Sequence, residues 1–366
     1  MQADALLDAW NAGDPGAIAI ARHKHPKFLD DTIKWLPKRL SDEEARRTPF
    51  EFADAQLTVA RWYDFDGWPA LVEHVEAVTN DDSPVARFEL AVDAVVTGNV
   101  DAVAAMLVEH PDLVRARSAR VTHFDPPVHR ATLLHYIAAN GVEGYRQKTP
   151  PNAVDVAKRL LAAGAEVDAL ADMYGGPQTT MDMLVSSTPP HAAGLQAALA
   201  GTLLDSGAAL EGVNGDGSPL RTALAFGFLD TAQMFARRGA RVDSVSAAAG
   251  LGRLEDARRL LPQASTEDRH RALALAAMHG HLDVVRLLLD GGEDPNRYNP
   301  KGNHAHSTPL HQAIAAGHDR VAQLLVERGA RLDIEDTIYH GTPLGWAIYC
   351  NRPSIAEYLR GRGAPP

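Results

Sequence analysis

Apolar residues recur along most of the chain in paired, short helical patterns. In "STPLHQAIAAGHDRVAQLLVERGARLD" (307–333), Leu310 and Ile314 lie four apart, and Val321, Leu324 and Leu325 follow at three and four. That spacing predicts two short amphipathic helices. Ser or Thr before Pro marks the start of the first. The hydroxyl accepts from free N–H groups, and Pro sits in the first turn, where its missing donor costs nothing. Gly329 stops the second helix in a left-handed conformation that side chains with a Cβ resist.

The same unit returns at intervals. Thr308 and Thr342 open successive copies of T-P-L-x-x-A-I, and "RALALAAMHGHLDVVRLLLDGGEDPN" (271–296) and "GSPLRTALAFGFLDTAQMFARRGARVD" (217–243) share its second half. "ATLLHYIAANG" (131–141) rejoins "NAVDVAKRLLAAGAEVD" (152–168) after an insertion, and degenerate copies lie at 86–116, 178–211 and 244–262. One helix pair cannot bury its own apolar face, so neighbours must stack and share a core. These residues resemble the ankyrin repeat, with its T-P-L-H-x-A signature and L-L-x-x-G-A-x-x-D exit. Over 84–366 the resemblance implies an all-α solenoid of about 7–8 helix–turn–helix repeats. It also implies fingers that project to one side and line a concave groove with the first helices, a surface that binds a partner.

Residues 1–80 lack the repeat. "TPFEFADAQLTVARWYDFDGWPALVEHVEAV" (48–78) reads as two helices with a turn at Asp64–Gly67, and Trp62, Tyr63, Phe65 and Trp68 are expected to form an aromatic plug. The segment resembles the helical region that precedes the repeats in many bacterial ankyrin proteins and is expected to cap the first repeat. "NDDSPVA" (80–86) is the expected hinge.

Departures from the repeat are the places to look for chemistry. The intervals from Gly292 to Thr308 and from Gly164 to Thr180 are equal, and both exceed the interval from Gly329 to Thr342. Inserted loops are therefore expected near 117–130, 142–152, 170–179, 188–195 and 293–307. Such insertions are either functional or tolerated. The position two after the motif leucine, Tyr136, Gln312 or Trp346, is expected to face the groove, with Tyr349 on the same wall one turn beyond Trp346. Fingers add Tyr174, Arg297, Tyr298 and Tyr339, and Tyr, Trp and Arg are the usual anchors of protein interfaces.

A net charge of −11 disfavours nucleic acid and anionic membranes as partners. No apolar run approaches membrane-spanning length, the start lacks a signal peptide's basic region, and one cysteine, Cys350, excludes an internal disulfide. The expected location is the cytoplasm. His304-x-His306 and His23-x-His25 lack a third ligand at short spacing, so no metal site is predicted, although Asp172 or His340 could complete one. No G-x-S-x-G elbow or phosphate-binding glycine motif occurs, and no cofactor is implied. General acid–base chemistry stays open, with His123, His129, Asp172, Tyr174, His304 and His306 as candidates. The favoured function is a partner-binding scaffold. The alternative is a small-molecule-binding protein or an acid–base enzyme (lyase, isomerase or cyclase type) with a pocket under the enlarged fingers.

Overall fold

The computed structural model describes residues 2–80 and 83–365, so Asp81 and Asp82 of the expected hinge lie outside the described residues. The chain divides into two compact units, Met1–Gly207 and Ala208–Pro366.

The first unit opens with five helices outside the repeat: α1 (Gln2–Ala12), α2 (Pro15–Lys24), α3 (Asp42–Arg46), α4 (Phe52–Trp62) and α5 (Trp68–Val78). Asp14 caps α2 through the Ala17 N–H, and Ser41 and Glu44 form a capping box at α3. Their core is built around Trp10, whose ring centroid lies 4.3 Å from Phe50 and 5.5 Å from Phe28. The expected plug therefore needs correcting: of its four aromatics only Phe65 is fully buried, and Trp62 stays 43% exposed. Helix α1 packs along α4, whose Ala55, Thr58, Val59 and Ala60 are buried, while Trp62 at its C-terminal end stays at the surface.

Three helix pairs follow in this unit. They are α6 (Pro84–Thr97) with α7 (Val100–Glu109), a 3-10 helix (Leu133–Ala138) with α8 (Ala153–Ala162), and two further helices described next. A two-stranded antiparallel hairpin, β1 (Ala171–Met173) and β2 (Gly176–Gln178), leads into α9 (Thr180–Leu184), which pairs with α11 (Gln196–Asp205). The insertion between them is itself a helix, α10 (Thr188–Ala192).

The second unit holds five pairs: α12 (Ser218–Ala225) and α13 (Leu229–Arg237), α14 (Val245–Gly250) and α15 (Leu254–Leu260), α16 (Thr266–Met278) and α17 (Leu282–Asp290), α18 (Pro309–Ala316) and α19 (Asp319–Glu327), α20 (Pro343–Tyr349) and α21 (Pro353–Gly361). Three pairs and five make eight among the described residues, and the fold is an all-α ankyrin solenoid. First helices stack on one another because they meet through alanines such as Ala248, Ala272, Ala276 and Ala313, all fully buried, while Leu288, Leu325 and Leu359 of the second helices fill the layer behind.

The turn between paired helices is interlocked along the stack. Gly280 has φ +77°, and a Cβ there would come within 2.6 Å of the His318 ring of the next repeat. His281 sits on Gly252 in the same way and hydrogen-bonds the Gly250 carbonyl at 2.9 Å. Arg352 takes that place at Gly317 and donates to the Ala315 carbonyl at 2.8 Å. Glycine is required at each step for both its backbone conformation and the space it leaves.

Candidate functional site

Histidines at the helix starts are architectural. His311 Nδ1 accepts from the Thr308 hydroxyl at 2.8 Å, and its Nε2–H donates to the Gly341 carbonyl at 3.2 Å. His135 repeats the arrangement with Thr132, at 2.9 Å, and the Gln178 carbonyl, at 3.4 Å. Burial lowers the pKa of both rings to about 4, so both stay neutral. Each joins its own helix start to the finger that follows.

The enlarged finger at 293–307 is tightly pinned. His270 Nε2 bonds the Tyr298 carbonyl at 3.0 Å, and Arg271 donates to the Lys301 carbonyl at 3.1 Å. His306 lies edge-on to His304 with ring centroids 6.0 Å apart, and 6.1 Å from Trp346 and 6.3 Å from Tyr339. Among the described residues, no three His, Cys, Asp or Glu side chains are gathered to hold a metal ion.

Asp336 organises the last finger. It accepts from the N–H groups of Ile338 (3.0 Å), Tyr339 (2.6 Å) and Gly341 (2.8 Å) and from the Trp346 indole at 2.9 Å. Burial opposes its charge, yet the donors from Tyr339, Trp346, Gly341 and Ile338 hold its carboxyl below the usual range.

The position two after the motif leucine does not face an open groove, and this is a correction. Tyr136 is completely buried, edge-on to Phe88 at 6.4 Å and His129 at 6.3 Å. Gln312 is buried too and donates to Ser307 Oγ at 2.7 Å. Trp346 is half-buried and turned to Asp336. In each of these copies the side chain leans back onto the preceding finger, as helical side chains tilt toward the N-terminus. Tyr298, Tyr339 and Tyr349 remain exposed at 42%, 51% and 91%, and Arg297 is exposed beside them.

In the first unit, His129, Asp172 and Tyr174 line one recess of about 210 Å³ with Phe124 and Gln147. The His129 Nδ1 accepts from the Ala131 N–H and its Nε2–H donates to Glu143 at 3.1 Å, so neither nitrogen is left for proton transfer. Glu143 is fully buried. Burial opposes its charge, but His129, Arg120 and Arg146 hold its pKa down at about 2. Tyr174 donates to Asn140 Oδ1 at 2.6 Å. His123 lies outside the recess, 3.5 Å from Asp64.

Glu143, Arg120, Arg146 and Asp64 escape notice in the sequence because their partners come from far along the chain. Arg120 donates to the Tyr63 carbonyl at 2.8 Å with its guanidinium 4.0 Å over Phe65, and the Gly144 N–H donates to Asp64 at 2.6 Å. The insertions near 117–130 and 142–152 thus tie the N-terminal helices to the first repeats.

Stacked helix pairs with glycine-locked turns and histidine-capped helix starts define a repeat protein of the ankyrin class. The family description "Ankyrin repeats (3 copies)" matches residues 298–366, and "Ankyrin repeat" matches 268–300. Residues 268–366 thus match ankyrin repeat family models. Ankyrin repeat and SAM domain-containing protein 6 of Mus musculus is 34% identical over 103 residues, 28% of this chain and 11% of that protein. NF-kappa-B inhibitor cactus of Drosophila melanogaster is 34% identical over 98 residues, 26% of this chain and 19% of that one. Ankyrin repeat and KH domain-containing protein mask-1 of Caenorhabditis elegans is 28% identical over 222 residues, 58% of this chain and 8% of that one. The chain spans no more than a fifth of these relatives (11%, 19% and 8%). Ankyrin repeats are in general protein-interaction modules.

Proposed function

We propose that the chain is a cytoplasmic recognition scaffold that binds a partner protein through the fingers and first helices of its repeats. The observation that carries this reading is the exposure of Tyr298, Tyr339 and Tyr349, which sit on successive repeats of one stack. Tyrosine anchors an interface with large contact area and little conformational entropy to lose. Arg297 and Trp346 border the same surface and would set specificity. Cactus is named as an inhibitor of NF-kappa-B, which fits a protein-binding role for this type of repeat. In affinity capture from the native cell extract, the wild-type chain should retain a stoichiometric protein. The Tyr298→Ala/Tyr339→Ala/Tyr349→Ala variant should lose it. A co-purifying metabolite with no protein would reverse the reading.

A second reading draws on the recess that gathers His129, Asp172 and Tyr174. It is a small-molecule site in which Asp172 and the aromatic rings of Phe124 and Tyr174 make the contacts. The pairing of His129 with Glu143 argues against His129 as an acid–base group there. Native mass spectrometry of the purified chain should then show a bound metabolite that Asp172→Ala releases. The domain division is likewise a proposal: residues 1–80 as a cap on a repeat domain running from 84 to 366.

A further inference from the structure

The recess that gathers His129, Asp172 and Tyr174 has a one-sided chemistry. Three side chains on its walls can donate a hydrogen bond, and each is bonded to the protein. His129 gives its Nε2–H to Glu143 at 3.1 Å, Gln147 Nε2 donates to the Val142 carbonyl at 2.8 Å, and the Tyr174 hydroxyl donates to Asn140 at 2.6 Å. The two carboxylates on the same walls are in the opposite condition. Asp125 is exposed and Asp172 half-buried, and neither has a hydrogen-bond or salt-bridge partner among the described residues. An ionised carboxylate only accepts. The side chains of the recess that are open to a ligand are therefore acceptors, and they are anionic.

The rest of the surface matches the carbon part of a cation. The exposed rings of Phe124 and Tyr174 line the same recess, and the face of an aromatic ring attracts a positive charge. The walls are held in place. The Asp172 N–H donates to the His129 carbonyl at 2.7 Å, and Asp172 pairs with Pro177 in the β1–β2 hairpin. Tyr174 stands at the turn of that hairpin with φ +52°, a conformation that costs a residue with a Cβ. The wider field has the same sign. Ala208–Pro366 holds 18 Lys and Arg against 18 Asp and Glu, so the net charge of −11 falls entirely on the unit that contains the recess. At about 210 Å³ the recess is smaller than the roughly 300–1,000 Å³ of a drug-sized ligand site, so its ligand is small.

We propose that this recess binds a small protonated amine, whose ammonium group donates to the Asp172 and Asp125 carboxylates while its short alkyl chain lies against Phe124 and Tyr174. This rests on the small-molecule reading of the recess and deepens it by naming the class of the ligand.

The test titrates straight-chain amines from ethylamine to hexylamine, with the alcohols and carboxylates of equal length, into the intact chain at neutral pH. Shifts of the Asp172 and Tyr174 backbone amide resonances report binding. At least one amine should bind, and its alcohol and carboxylate counterparts should bind about tenfold more weakly or not at all. Asp172→Asn keeps the shape and removes the charge. It should weaken amine binding about tenfold or more and leave the melting temperature unchanged, because the Asp172 carboxylate holds no other group. An alcohol that binds as well as its amine would overturn the proposal. So would unchanged amine affinity in Asp172→Asn, a marked loss of thermal stability in that variant, or the absence of any amine that binds. Binding of N-acetyl-lysine amide alone would overturn it in favour of a partner's lysine side chain. A co-purifying metabolite without an amino group, released by Asp172→Ala, would remove the amine and leave the small-molecule reading intact. Asp172-dependent amine binding in a chain that carries no metabolite from the cell would remove the resident-metabolite reading alone.

Discussion

At the residue scale, single positions carry several constraints at once. Gly280 combines a positive φ with direct contact to His318, whereas Gly329 has φ +91° with nothing near its missing Cβ. Both Gly→Ala substitutions impose about 1 kcal/mol of backbone strain, but only Gly280→Ala also displaces a packed ring. It should destabilise by about 1–3 kcal/mol more than Gly329→Ala, measured by urea unfolding. Asp336→Ala leaves three backbone N–H groups and an indole N–H without their acceptor. A loss of about 2–4 kcal/mol is expected, with a red shift of Trp346 fluorescence as the freed indole meets water. The histidines of "NHAHSTPLHQAIAAGH" divide along the same line. His311 and His318 are readable as architecture because the repeat places them. His304 and His306 are readable only as extras, since the rings packed beside His306, Tyr339 and Trp346, belong to the next repeat, far off in the sequence.

At the element scale, helix pairs are legible because their apolar spacing, caps and stop glycines are local signals. The direction of the side chain two after the motif leucine is not. Tyr136 sits in a 3-10 helix whose interior is shared with α6, and nothing in "TLLHYIA" announces that tighter winding. The inserted segments are visible by counting, yet their role as ties between the N-terminal helices and the first repeats depends on pairings distant in sequence, such as Arg146 with Glu89 and Arg120 with Tyr63. Removing 1–80 takes away Tyr63, Asp64 and Phe65 together, and so strands Arg120 and the Gly144 N–H. A chain comprising 84–366 should therefore unfold at a lower temperature than the full chain in calorimetry. An unchanged melting temperature would refute the cap.

At the scale of the whole molecule, buried neutral histidines set the acid limit. The pKa values of His74, His135, His279 and His311 are lowered to about 4, in every case first by burial. In the unfolded chain these rings take up protons near the ordinary histidine value of about 6.5. Between those limits the unfolded state binds more protons than the native state, so stability is full above about pH 6.5 and falls as the pH drops toward 4. Thermal scans should show the melting temperature dropping steadily from pH 6.5 to pH 4.5. His311→Gln keeps an acceptor for the Thr308 donors without a titrating ring, and it should flatten that slope. Among the described residues no helix is long and apolar enough to cross a membrane.

The amino-acid sequence alone determined the repeat, its period, its helix starts and stops, and which segments exceed the repeat, because all of these are written in local spacings. Only the tertiary structure decided that Tyr136 and Gln312 turn inward and that Glu143 locks His129. Those outcomes depend on which distant groups arrive beside a side chain, and stacking, not local preference, delivers them.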